Sequence, residues 1–180
     1  AIARKSKKTS TGLASTSIGS FVKKLIISLS FSPTDAQIRA KDEIIDDISK
    51  PIKMNRLLQG DVGSGKTLVA VMAMLECVES GGQAAFMAPS EILARQHFKT
   101  LSTMLQDFQL NIKILTGRDR GAQREELLSE LKAGEIDILI GTHALFQLDV
   151  IYHKLRLCII DEQHRFGVQQ RMELSAKGSM

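Results

Sequence analysis

Gly60-Asp61-Val62-Gly63-Ser64-Gly65-Lys66-Thr67 is the stretch that decides the fold, with Arg56-Leu57-Leu58-Gln59 before it and Leu68-Val69-Ala70-Val71-Met72 behind it. The glycines let the backbone turn tightly, so that successive N–H groups aim at phosphate oxygens. Lys66 reaches the outer phosphates, and the Thr67 hydroxyl is placed to ligate Mg²⁺. The helix predicted to follow adds the positive end of its dipole. The alternative is a Gly-rich turn that binds nothing. A strand before the loop and an apolar helix after it favour the phosphate reading, with Gly60, Gly63, Ser64, Gly65, Lys66 and Thr67 as nucleotide-binding residues.

Working outward, the chain alternates. Apolar runs of strand length lie at Arg56–Gln59, Ala84–Ala88, Ile112–Leu115, Ile136–Ile140 and Leu155–Ile160. Helical patterns separate most of them. Leu93, His97, Phe98, Leu101, Met104 and Leu105 share one helix face, and Leu127, Leu128 and Leu131 share another, with Gly134 as its C-terminal stop. Near-continuous apolar strands between amphipathic helices predict an α/β fold of three layers, αβα, with a mainly parallel central sheet covered on both faces. Ligands of such sheets bind at the carboxyl ends of the strands. Before the loop, Phe21–Leu29 reads as a short apolar helix. Ser32-Pro33-Thr34-Asp35 reads as a second helix start, with Ser32 as cap and Asp35 closing a capping box. That helix turns Ile38, Ile44, Ile45 and Ile48 to the core and ends near Lys50-Pro51.

At 180 residues the chain is long enough for one domain with a real core. It has no run of 18 apolar residues, which excludes a helical membrane span of ordinary length. Net charge is +4, but residues 1–34 carry six basic side chains and no acid. The rest holds 18 basic and 20 acidic side chains, or −2, so the basic balance belongs to the lead-in and says little about partners of the body. Residues 1–20 are Ser/Thr/Lys-rich and read as a linker. Cys77 and Cys158 sit in apolar runs with no secretory segment, the pattern of reduced core thiols in a cytoplasmic protein.

The second chemical motif follows Lys66 by 95 residues. There Leu155–Ile160 runs into Asp161-Glu162-Gln163-His164. A carboxylate at the end of a buried strand is placed to hold Mg²⁺, and the next one to take a proton from an attacking water. A solvated acidic turn is the plain alternative. Together with the loop, the pair predicts an ATP-hydrolysing site: Glu162, Asp161 and Lys66 catalytic, Thr67 and Asp161 on the metal. No His/Cys cluster has metal-ligand spacing. His97 reads as packing and His153 as surface, while His143 has no evident task.

Asp161-Glu162-Gln163-His164 is a DExH box, and such a box after such a loop resembles the superfamily-two helicases and translocases. The phrases Leu57–Thr67, Met87–Ala94, Ile140–Gln147 and Asp161–Arg171 are more specifically similar to the RecG family of branched-DNA helicases, and the resemblance runs over about residues 21–175. It implies a RecA-like P-loop lobe, ATP and Mg²⁺ as ligands, and branched or duplex DNA as partner. It also implies further roles. Phe31 and Gln37 match the segment that packs on and reads adenine, and a Gln amide can both donate to and accept from that base; an exposed helix glutamine is the alternative. Pro89, Ser90, Glu91, Thr116, Gly117, Gly141 and Thr142 match positions that contact the DNA sugar–phosphate backbone, a task suited to backbone N–H groups and small hydroxyls. Ser90 stands where the family usually has Thr, and it also reads as a helix cap. Gln163 and His164 match residues that couple the nucleotide site to the DNA-bound state.

The resemblance implies that residues 21–180 are the first motor lobe of a bacterial cytoplasmic protein. A second RecA-like lobe, which supplies arginines to the γ-phosphate, and an N-terminal wedge domain are expected elsewhere in a longer parent. Two alternatives stay open: the motor lobe of a transcription-repair coupling factor, and a nucleotide-binding module with no turnover of its own.

Overall fold

The computed structural model describes residues 4–5, 19–50, 56–58 and 64–161. The chain divides into two compact units, Ala1–Ser80 and Gly81–Met180.

The first unit holds β1 (Arg4–Lys5), α1 (Ser20–Ser28), α2 (Asp35–Ser49), β2 (Arg56–Leu57) and α3 (Lys66–Glu79). Both α1 and α2 pack on α3. Helix α1 buries Val22 and Leu25, and α2 buries Ile44 and Ile48, with Ile38 and Ile45 at the half-buried margin of the same stripe. The start of α2 differs from the sequence expectation. Thr34, not Ser32, is the cap: its Oγ1 accepts the Gln37 N–H at 3.3 Å, and Gln37 Oε1 accepts the Thr34 N–H at 2.8 Å. Both pairs have capping-box spacing, but the longer Gln side chain reaches back to the cap where an Asp falls a methylene short. The extended run expected at Arg56–Gln59 appears in part as β2. It pairs antiparallel with β1, Lys5 opposite Arg56, in a two-stranded sheet of its own. An apolar run specifies extension, whereas its partner is whichever unpaired edge lies beside it.

The second unit contains β3 (Gln83–Met87), α4 (Glu91–Met104), β4 (Ile112–Leu115), α5 (Ala122–Ala133), β5 (Ile138–Gly141) and β6 (Leu155–Ile160). The four strands form one sheet in the order β4-β5-β3-β6, and every pairing is parallel. This is the parallel sheet that the apolar runs predict. Side chains alternate across it. Ala85, Met87, Leu115 and Leu139 face one side, where they join Leu131 of α5 with Leu127 and Leu128 against them. Lys113, on that same face, pairs with Glu130 of α5 at 3.3 Å. Helix α4 lies on the other side, against β4 and β5, with the His97 ring tilted onto Phe86 at a centroid distance of 4.6 Å. Helices on opposite faces of a parallel sheet make the three layers. Gly134 ends α5 at φ 83°, the stop expected there.

Buried Gln83 ties the amino ends of the strands together. Its Nε2 donates to the carbonyls of Leu131 and Ile136 at 3.0 and 2.9 Å, and its Oε1 accepts the Lys154 N–H at 2.9 Å. The opposite, carboxyl ends are in register: Met87 lies beside both Gly141 and Ile160, and Leu115 beside Gly141. No helix among the described residues is long and apolar enough to cross a membrane.

Candidate nucleotide site and strand ends

The phosphate-loop residues Gly60 and Gly63 lie outside the described residues, as do Glu162, Gln163 and His164 of the acidic box. What is described is each motif's junction with its regular element.

At the first junction, Gly65 is the N-cap of α3, with φ 74° and ψ 27°, and no side chain caps the helix. Only glycine takes that conformation cheaply. A Cβ at Gly65 would also stand 2.0 Å from Gln37 Nε2. Lys66 and Thr67 open the first turn and are half-buried. Gln37 braces this point from α2: besides closing the capping box, its Nε2 donates to the Ser64 carbonyl at 3.1 Å. The amide that the resemblance assigns to adenine is therefore engaged with the loop itself. Phe31 is 56% exposed, so its ring is open to a flat partner. A glycine-capped helix start with a lysine and a threonine in its first turn fits a phosphate group, because N–H groups with no intrahelical acceptor and the helix dipole both favour an anion.

At the second junction, Asp161 continues β6: its N–H donates to the Met87 carbonyl at 2.8 Å, as a strand residue would. Alternation then sets its direction. Leu157, Ile159 and Asp161 share the face of Phe86, which is the α4 face. There Asp161 Oδ2 meets His97 Nε2 at 2.9 Å. An ionised carboxylate only accepts, so the His97 nitrogen carries the hydrogen. The expectation that His97 only packs is thus half right: its ring packs at a tilt on Phe86 while its nitrogen holds the acidic-box aspartate. The Asp161 side chain keeps 34% exposure.

The structure brings all seven positions matched to DNA contact to the carboxyl edge of the one sheet, but in two different states. Pro89 is half-buried, and Ser90 and Gly117 are exposed. Ser90 caps α4, its Oγ accepting the Leu93 N–H at 3.3 Å. Glu91 is held between two arginines, Arg95 at 2.9 Å and Arg118 at 3.1 Å, and so joins the start of α4 to the turn after β4. Thr116, Gly141 and Thr142 are buried. Thr116 donates both its N–H and its hydroxyl to Asp119 Oδ2, at 2.6 and 2.9 Å. Gly141 is glycine because a Cβ would lie 2.0 Å from the Leu115 carbonyl oxygen. The Thr142 hydroxyl has no partner among the described residues. Sequence reasoning missed Arg95 and Arg118, which lie next to motif positions but in no motif phrase.

Residues 34–178 match the DEAD/DEAH box helicase family. The chain belongs to that family. It is 51% identical over 158 residues to the ATP-dependent DNA helicase RecG of Aquifex aeolicus, covering 88% of this chain and 20% of that protein. To RecG of Bacillus subtilis it is 52% identical over 155 residues, covering 86% and 23%. Among solved structures it is similar to RecG bound to a three-way DNA junction, with a TM-score of 0.82 and 46% identity over 87% of this chain and 22% of the other. The chain therefore spans about a fifth of the length of these relatives. At such identity the likeness bears out the RecG resemblance and the RecA-like α/β lobe.

Proposed function

We propose that residues 21–180 form the ATP-binding first motor lobe of a DNA helicase or translocase that remodels branched DNA, such as stalled forks and Holliday junctions, in recombination and repair in the bacterial cytoplasm. The observation that carries this reading is the 46% identity, at a TM-score of 0.82, to RecG bound to a three-way DNA junction. Residues 1–20 are then a connection from a preceding region. The partners are branched or duplex DNA, and a second RecA-like lobe and a wedge domain of the same protein.

Within the lobe, the start of α3 receives the phosphates of ATP on the backbone of Gly60, Gly63, Ser64 and Gly65, and Lys66 neutralises their charge. Thr67 and Asp161 would hold Mg²⁺, which when bound supplies further positive charge to the phosphate oxygens. Glu162 takes the proton of the attacking water. Phe31 offers a stacking face for adenine. Gln37 acts on the base only if it leaves Ser64, so base recognition and loop bracing compete for one amide. Gln163 and His164 pass the state of the nucleotide to the DNA-facing edge. At that edge Pro89, Ser90, Glu91 and Gly117 are the outward positions. Thr116, Gly141 and Thr142 support them by fixing the turns.

The test is ATP hydrolysis by the full-length protein with and without a branched duplex. DNA-stimulated turnover is expected, and its absence overturns the reading. Glu162→Gln is expected to bind ATP normally and to lose at least about 100-fold in turnover; near-normal turnover refutes the base assignment. The isolated 180-residue chain is expected to bind nucleotide without DNA-stimulated turnover, because arginines from a second lobe are expected to complete the site.

A further inference from the structure

His97 lies seven residues beyond Ser90, two turns into α4, on the face turned to the sheet. Its ring is 4.6 Å from that of Phe86, and its Nε2 is 2.9 Å from Asp161 Oδ2. The side chain is 17% exposed, so the contact is sheltered from water. The two contacts restrain the ring in different ways. Phe86 packs against the ring at a tilt, and Asp161 accepts its hydrogen bond. Asp161 is the first residue past β6, beyond the last paired residue, Ile160. Its N–H is anchored on Met87, but its carboxylate would otherwise rotate freely about χ1 and χ2. A hydrogen bond to one oxygen restrains that rotation and leaves the other oxygen outside the bond. Partners of this kind orient metal-binding groups without touching the metal.

We propose that His97 is a positioning residue for the metal: it holds Oδ2 of Asp161 so that the remaining oxygen is presented to Mg²⁺ or to a water of its hydration shell. The inference rests on the reading that Asp161 serves Mg²⁺, and the experiment separates the two. In the full-length protein, binding of a fluorescent ADP or ATP analogue is followed as Mg²⁺ is titrated, giving the Mg²⁺ concentration at half-effect for each variant. His97→Phe keeps a ring against Phe86 and loses the donor. His97→Gln loses the ring and keeps an N–H at similar reach. His97→Ala loses both and reports donor loss even if the Phe ring is not accommodated. Asp161→Asn tests the underlying reading.

The Mg²⁺ midpoint is expected to rise about tenfold in His97→Phe and His97→Ala and to stay within about twofold of the parent in His97→Gln. Nucleotide binding without Mg²⁺ is expected to be unchanged in all three. A parent-like midpoint in His97→Phe, or a midpoint in His97→Gln as high as in His97→Ala, overturns the inference, because packing on Phe86 would then be the whole role. If Asp161→Asn leaves the midpoint where it was, the metal reading itself fails, whatever the His97 variants do.

Discussion

At the start of α1, Gly19 takes φ 70° and offers no side chain to the first turn; at the start of α3, Gly65 does the same at φ 74°. The two helix starts then part. The N–H and hydroxyl of Ser20 donate to the carboxylate of Glu79, the last residue of α3 and 59 positions away, with the N–H bond at 3.0 Å. Burial alone would raise the Glu79 pKa, but the bonds from Ser20 and its neighbours reverse that and lower it. So in this chain a glycine-capped helix start takes up an anion and holds it ionised. The protein supplies that anion to α1 from its own sequence. Among the described residues no side chain caps α3, and its first turn carries Lys66 and Thr67. If the start of α3 receives phosphate as proposed, the two ends differ in the source of the negative charge and not in backbone geometry.

The most severe way to break this comparison is Lys66→Ala. If the start of α3 awaits a phosphate, losing a charge-assisted contact is expected to weaken ATP binding roughly 100-fold, measured by calorimetry. Unchanged affinity would mean that the two starts are alike in shape alone. A pair of glycine substitutions sharpens the point. Alanine at either position pays for the left-handed conformation, about 1–2 kcal/mol. Nothing lies within 4 Å of a Cβ at Gly19, whereas one at Gly65 displaces Gln37 Nε2 and breaks its bond to Ser64. Gly65→Ala is therefore expected to cost about 1 kcal/mol more than Gly19→Ala in urea unfolding. It is also expected to abolish nucleotide binding, which Gly19→Ala leaves intact. Equal costs would show that Gln37 does not brace the loop.

Much of this could be read from the residues. The runs at Ile112–Leu115 and Leu155–Ile160 are strands as expected, Gly134 stops α5, and the positions matched to DNA contact lie at the carboxyl ends of the parallel strands β3, β4 and β5. These features depend on local spacing. The features that escaped depend on what meets what. The Glu79 carboxylate caps α1 across 59 residues, with no local pattern to betray it. His97 looked like one more member of an apolar stripe, because the strand order β4-β5-β3-β6, which puts β6 beside β3 and so Asp161 within its reach, is written nowhere in the alternation. At the start of α2 the cap is Thr34, with Gln37 completing the box, and not the expected Ser32 with Asp35. Alternation along β6 does place Asp161 on the face of Ile159. A reader holding the strand order could have found its partner.

The smallest effect gives the finest version of the comparison, because α3 carries a second carboxylate one turn before Glu79. Glu76 is 6% exposed, and its pKa is raised, first by burial and then by the charge of Glu79, with Lys41 opposing. The two groups therefore give opposite pH signatures. Glu79 has a folded pKa below its ordinary 4.5, so its stabilisation is complete above that value and is lost as pH falls through the lowered one. Glu76 has a folded pKa above 4.5, so it costs nothing in acid, and its penalty grows as pH rises through 4.5 to the raised value. Glu79→Gln is expected to destabilise the chain by about 0.5 kcal/mol at pH 7, with the deficit closing toward pH 3. Glu76→Gln is expected to stabilise it at pH 7 by a smaller amount, with the gain gone by pH 4. Urea midpoints at pH 3, 4, 5 and 7 would read both curves. If both variants moved the midpoint in the same direction at pH 7, the carboxylate at α1 would be no different from any buried acid, and it would cease to stand for the phosphate expected at α3.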